Sequence, residues 1–154
     1  DRVIVDGASP QPIKGYRKII AIVYLMSFLK NTKFVANLLT KMMQEDGAPA
    51  QDVQRFVADF QRAERLSFRR AMSQANLLRL DLQFDNPAFF ISGGKEAETI
   101  HDWHRRLAQK NARSECAYYP DKGHAWLFSD VDTHIQLLRY FFQNAAFPEK
   151  LKGF

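Results

Sequence analysis

The chain has 154 residues, with 22 Lys and Arg against 17 Asp and Glu, and a formal net charge of +5. This length fits one domain with a core of its own, and a hydrophobic content of 46% is ordinary for a globular protein. The basic residues are scattered among acidic ones, which argues against a nucleic-acid partner, and no apolar run approaches the ~20 residues that span a bilayer.

The first predicted strand is the β-branched run Val3-Ile4-Val5, which Asp6 and Gly7 close. An apolar run without alternation is typical of a strand that is covered on both faces. The chain begins at Asp1 rather than Met, directly before this strand. We therefore expect the sequence to be part of something longer.

Four amphipathic helices are predicted over residues 16–80. The first is apolar almost all round, which predicts that it is buried or faces an apolar cavity. The others repeat apolar residues at helical spacing: Phe34, Leu38, Leu39 and Met42, then Val53, Phe56, Val57 and Phe60, then Phe68, Ala71, Met72 and Ala75. Together they predict a compact, all-helical insert.

The strand pattern returns at residues 88–92 and again at residues 116–119, and each of these strands is followed by a predicted helix. The last helix has a Ser129-x-x-Asp132 capping signal. Its predicted buried residues are Ile135, Leu138 and Phe142. Strands that alternate with helices predict an α/β protein with a partial parallel sheet, formed by residues 1–15 and 81–154.

Three loops leave the ends of the predicted strands: residues 7–12, 93–96 and 120–126. In open parallel sheets, catalytic groups collect just outside the carboxyl ends of the strands. The second loop carries Glu96 and the third carries His124, so we expect the two side chains within hydrogen-bonding reach. A carboxylate bonded to one imidazole nitrogen stabilises the imidazolium that forms during proton transfer.

Other carboxylates compete with Glu96 for this role, and Glu96 itself could be an exposed residue of a helix first turn. Glu98 and Asp102 are alternatives on the following helix, and Asp6 is the fallback if the acid follows the earlier strand.

The remaining histidines are expected to be structural or solvated. His101 and His104 could share a helix face, but no further ligand cluster accompanies them, so we predict solvated positions and no metal site. His134 is predicted at the surface near the start of the last helix. Trp126 is expected to pack the last helix rather than to wall a site.

Four stretches of the chain resemble parts of the α/β-hydrolase family. Residues 89–96, Phe-Phe-Ile-Ser-Gly-Gly-Lys-Glu, resemble the strand and turn of its catalytic acid, and residues 119–126, Tyr-Pro-Asp-Lys-Gly-His-Ala-Trp, resemble the turn of its catalytic histidine. Residues 3–7 resemble the strand after the nucleophile helix, and residues 16–80 resemble the helical lid. The resemblance covers the whole chain but only about half of the family's fold.

The resemblance implies a serine hydrolase that acts on an ester or related acyl bond without a cofactor or metal, with His124 as general base and Glu96 as its acid partner. An apolar or acyl small molecule is the implied substrate. The Gly-x-Ser-x-Gly nucleophile elbow is absent from the sequence, and Ser9 is not a substitute because Pro10 lacks the backbone N–H that should follow a nucleophile. The nucleophile is therefore expected from the missing N-terminal half of the fold, in the same or another chain.

Two further interpretations stay open from the sequence. The first is a hydrolase-like module without a working nucleophile that binds an apolar ligand or a protein partner. The second is a processed fragment or subunit that pairs with an N-terminal half, with an exposed sheet edge at the first strand. The single cysteine, Cys116, excludes an internal disulfide and favours a reducing, cytoplasmic compartment.

Overall fold

The computed structural model describes residues 1–45 and 47–154, in which four strands and seven helices are found. The chain divides into two compact units. The first, the sheet unit, comprises Asp1–Pro10 and Asp81–Phe154. The second, the helical unit, comprises Gln11–Leu80.

The sheet unit contains a sheet in the order β1-β2-β3-β4. Its strands are β1 (Val3–Asp6), β2 (Ala88–Gly93), β3 (Glu115–Tyr119) and β4 (Lys152–Gly153). The first three are parallel, which confirms the predicted α/β class, whereas β4 pairs antiparallel with β3. Strand β4 was not predicted from the sequence, because a two-residue strand has no periodic pattern of apolar residues.

Helices cover both faces of this sheet. Helix α5 (Glu98–Ala108) packs Leu107 against Phe90 on one face. On the other face, α6 (Trp126–Ser129) and α7 (Val131–Gln143) enclose a cluster around Phe89. Every residue of β2 is buried, as its uninterrupted apolar run predicts, and each large apolar side chain buried there stabilises the fold by about 1.5–3 kcal/mol.

Helix α7 begins one residue later, and buries a different stripe, than the capping signal predicted. Asp130 is the N-cap, because its side chain accepts a hydrogen bond from the Thr133 backbone N–H at 3.2 Å, whereas Ser129 belongs to α6. The buried residues are Thr133, Leu137 and Phe141 rather than Ile135, Leu138 and Phe142. Both sets of residues have helical spacing, and packing against the sheet buries the set that contains Leu137.

Asp130 also links α7 to the rest of the sheet unit. Its carboxylate accepts hydrogen bonds from the Tyr119 hydroxyl at 2.7 Å and from Lys150 at 2.6 Å. Burial works against the charged form, but these bonds and those from Thr133 hold the pKa of Asp130 well below its ordinary value. The end of β3, the start of α7 and the C-terminal segment therefore meet at one carboxylate.

The helical unit consists of α1 (Tyr16–Leu29), α2 (Lys33–Glu45), α3 (Ala50–Arg62) and α4 (Arg65–Leu77). Its small core includes Val35, Leu39 and Phe60. Helix α1 buries only Val23 and Ser27, so it is not buried all round, and its exposed apolar residues include Ile22, Leu25 and Phe28. Across the described residues, no helix is long and apolar enough to cross a membrane.

Candidate functional site

Glu96 and His124 meet at the carboxyl ends of β2 and β3. The Nδ1 of His124 lies 3.0 Å from the Oε2 of Glu96. The Glu96 side chain is 4% exposed, whereas the His124 side chain is 73% exposed. Because a carboxylate only accepts, Nδ1 carries the proton in this bond, and Nε2 is the nitrogen that can take a proton from a reacting group.

The two turns that carry this pair are tied together through their backbones. The second carboxylate oxygen of Glu96, Oε1, accepts a hydrogen bond from the Gly93 N–H at 2.8 Å. The Gly94 N–H donates to the Tyr119 carbonyl at 2.8 Å, and the Lys95 N–H donates to the Lys122 carbonyl at 2.9 Å. These bonds fix the position of the Glu96 turn against the His124 turn.

Two glycines allow the close approach of these turns. Gly7 has φ +55°, and a Cβ at this position would lie 2.6 Å from the Nδ1 of His124 and 3.2 Å from the Oε1 of Glu96. A Cβ at Gly93 would lie 2.2 Å from the carbonyl oxygen of Gly123 and 2.6 Å from that of Lys122. Both contacts are shorter than van der Waals distance, so any larger residue would displace the pair or its turns.

The two carboxyl groups beside His124 have opposite pKa shifts. Burial disfavours the charged form of Glu96, but hydrogen bonds from His124 and the Gly93 N–H outweigh burial and hold its pKa below the ordinary value. Burial raises the pKa of Asp6 to about 6; the charge of Glu96 adds to this rise, while the Trp126 N–H and His124 oppose it. Glu96 therefore stays ionised at neutral pH.

No protein-family model matches the chain, and no curated protein matches it in sequence. Solved structures do match it. MenH from S. aureus superposes with a TM-score of 0.65 at 13% identity, over 93% of this chain and 59% of that one. Rv0554 from Mycobacterium tuberculosis gives 0.63 at 10% identity, over 94% and 57%. An alpha/beta hydrolase family protein from Desulfitobacterium hafniense gives 0.56 at 18% identity, over 90% and 58%.

The chain has an α/β-hydrolase fold, in part. At these identities the likeness concerns the fold alone. The chain spans less than two thirds of the length of each neighbour.

Within this α/β-hydrolase fold, the competing carboxylates have other partners. Glu98 and Asp102 both accept hydrogen bonds from Arg105, at 2.6 and 2.5 Å. Asp6 lies at the end of β1 and accepts a hydrogen bond from the indole N–H of Trp126 at 3.2 Å. In the part of the chain that the structure describes, no group of three or more His, Cys, Asp and Glu residues is placed to hold a metal ion.

The prediction that His101 and His104 are solvated is wrong. They are 6% and 0% exposed, because they lie on the same stripe of α5 as Ile100 and Leu107. The Nε2 of His101 lies 3.1 Å from the Gly93 carbonyl, and that of His104 lies 3.0 Å from the Ala8 carbonyl. The spacing of these four residues was the sequence signal for burial.

These two histidines hold the loops that leave β2 and β1, next to the Glu96–His124 pair. His134 differs from its prediction too. It is half-buried with its ring 5.4 Å from that of Trp126, and burial lowers its pKa. Trp126 is fully buried and packs against α7, as expected.

Replacing His104 with Gln is expected to lower the free energy of unfolding by about 1–2 kcal/mol at pH 7.5, because the Ala8 carbonyl loses a well-fitted donor. Burial lowers the pKa of His104 in the folded protein. On acidification the imidazole is therefore protonated in the unfolded chain before it is protonated in the folded protein, and stability is lost below about pH 6.5. Urea unfolding at pH 7.5 and pH 5 measures the effect. The advantage of the parent protein over His104→Gln should shrink at pH 5, and an equal difference at both values would contradict this assignment.

Proposed function

We propose that this chain supplies the general base and the acid partner of a serine hydrolase that cleaves an ester or a related acyl bond. His124 is the base and Glu96 is its partner. The observation that carries the proposal is the 3.0 Å bond between a buried carboxylate and a solvent-accessible imidazole, at the carboxyl ends of two neighbouring parallel strands.

The chemistry follows from the two ends of the imidazole ring. Glu96 accepts the Nδ1 proton, so Nε2 has the lone pair that takes the proton of a nucleophile hydroxyl and then passes it to the leaving group. The imidazolium formed in between is stabilised by the ionised Glu96. The low pKa of Glu96 supports this role, because the carboxylate keeps its charge while His124 changes protonation.

The nucleophile and the oxyanion hole are assigned to residues outside this chain, from the N-terminal half of the fold or a partner chain. Strand β1 supports this assignment, because it lies at the edge of the sheet, where a further strand can pair. We give no catalytic role to Ser9, since Pro10 has no backbone N–H to contribute to an oxyanion hole.

The proposed substrate is a small apolar or acyl molecule, and the helical unit is assigned the role of a lid. The exposed apolar side chains of α1 support this, since Ile22, Leu25 and Phe28 give the helical unit a surface that suits such a molecule.

The test is covalent labelling of the longer protein with a fluorophosphonate, together with turnover of short-chain and long-chain nitrophenyl esters. We expect one labelled serine and measurable turnover, and no labelling when the protein is unfolded by heat before the reagent is added. Absence of both labelling and turnover would contradict the hydrolase proposal and favour a hydrolase-like module that binds an apolar ligand or a protein partner.

A further inference from the structure

Asp6 is a second carboxyl group beside the Glu96–His124 pair. It is the last residue of β1, and it lies opposite Ile91 of β2. The next residue, Gly7, lies directly against the His124 ring and the Glu96 carboxylate. The end of β1 therefore borders the pair from the side opposite to β3.

The two oxygens of Asp6 have different surroundings. Oδ1 accepts the indole N–H of Trp126 at 3.2 Å. Oδ2 is buried and has no hydrogen-bond partner among the described residues. A buried, half-paired carboxylate destabilises a fold, and burial accordingly raises the pKa of Asp6 to about 6. An Asn at this position would also accept the Trp126 indole N–H, without the free-energy cost of burying a carboxylate. Structural stability therefore does not explain the charge. Ionisable groups with strongly shifted pKa values concentrate at functional sites.

We propose that Asp6 is a positioning residue for His124, which anchors the His124 turn through Trp126 and places a second negative charge beside the imidazole. The proposal rests on the proposed function, because it concerns the same base. Trp126 follows His124 by two residues, is fully buried and begins α6. The hydrogen bond between the Trp126 indole N–H and Asp6 therefore fixes the backbone that follows His124.

The protonation states of Asp6 and His124 depend on each other. His124 lowers the pKa of Asp6, so an ionised Asp6 must favour protonation of His124 to the same extent. The negative charge of Glu96 raises the pKa of Asp6, whereas the pKa of Glu96 itself is lowered. On acidification Asp6 is therefore protonated before Glu96. The other titratable groups packed nearby are His104, which faces Glu96 from α5, and His134, which packs on Trp126 from α7.

The test is an NMR titration of the His124 imidazole in this chain, which needs no catalytic activity. Asp6→Asn keeps a carbonyl oxygen for the Trp126 indole but removes the charge. We expect the midpoint of the His124 titration to move to lower pH, with the indole N–H resonance of Trp126 unchanged. Asp6→Leu removes both functions and is expected to move the indole resonance as well. Asp132→Asn, at an exposed position of α7, is the matched control and should change neither.

A His124 midpoint in Asp6→Asn equal to that in the parent protein and in Asp132→Asn would overturn the proposal. Glu96→Gln separates this result from failure of the proposed function. If Glu96→Gln moves the midpoint and Asp6→Asn does not, only the role of Asp6 is wrong. If Glu96→Gln leaves the midpoint unchanged, the base and acid assignment itself is wrong. Should Asp6→Leu fail to fold, the Asn variant alone decides.

Discussion

Replacing His124 with Ala is expected to lower kcat/KM for ester hydrolysis by the longer protein by about 10³-fold or more, because the nucleophile would lose its general base. The fold should be little affected, because the His124 side chain is 73% exposed and its removal opens Glu96 to water. We expect the free energy of unfolding to change by about 1 kcal/mol or less. Turnover and urea unfolding of the same preparations separate the loss of chemistry from the loss of folding.

Two further variants sharpen this result. Glu96→Gln should also reduce turnover strongly, because an amide no longer stabilises the imidazolium and can hold the wrong tautomer. Glu149→Gln, an exposed residue of the C-terminal segment, is the matched control and should retain full turnover. Normal turnover after His124→Ala would refute the role of His124, whatever the other variants show.

Gly93→Ala is expected to lower the free energy of unfolding by about 1–3 kcal/mol and to displace the His124 turn. The new methyl group would lie 2.2 Å from the Gly123 carbonyl oxygen and 2.6 Å from that of Lys122. Both are backbone atoms, which cannot rotate away as a side-chain tip can. The turn must therefore move, and in the longer protein turnover should fall along with stability.

Gly153→Ala is the matched control, because a Cβ at Gly153 meets nothing within 4 Å. Urea unfolding measures both variants, and backbone amide shifts of residues 122–124 report whether the turn has moved. Equal stability of the two variants, with unchanged amide shifts in the turn, would show that the close approach of Gly93 to Gly123 does not require a glycine.

The position of the pair was predictable from the sequence because it depends on strand ends. Glu96 and His124 each follow an apolar run, and parallel strands place their carboxyl ends along one edge. The burial of β2 was predictable too, since an uninterrupted apolar run leaves no polar face that could be exposed to solvent.

Contacts between distant residues were not predictable. The burial of His101 and His104 follows from their spacing on α5, but the carbonyls of Gly93 and Ala8 that they contact cannot be inferred from the sequence of that helix. The pairing of Asp6 with Trp126 joins residues 120 positions apart. In α7, two adjacent stripes are both largely apolar, so only packing against β2 and β3 selects the one that is buried.

We propose that Glu96 holds His124 in the tautomer and charge state of a general base. The ¹⁵N chemical shifts of the His124 ring, followed through its titration in the parent protein and in Glu96→Gln, test it most directly. We expect a protonated Nδ1 and an unprotonated Nε2 in the neutral ring, and a titration midpoint that moves to lower pH when Glu96 is replaced. A neutral ring protonated at Nε2, or a midpoint that does not respond to the replacement, would contradict it.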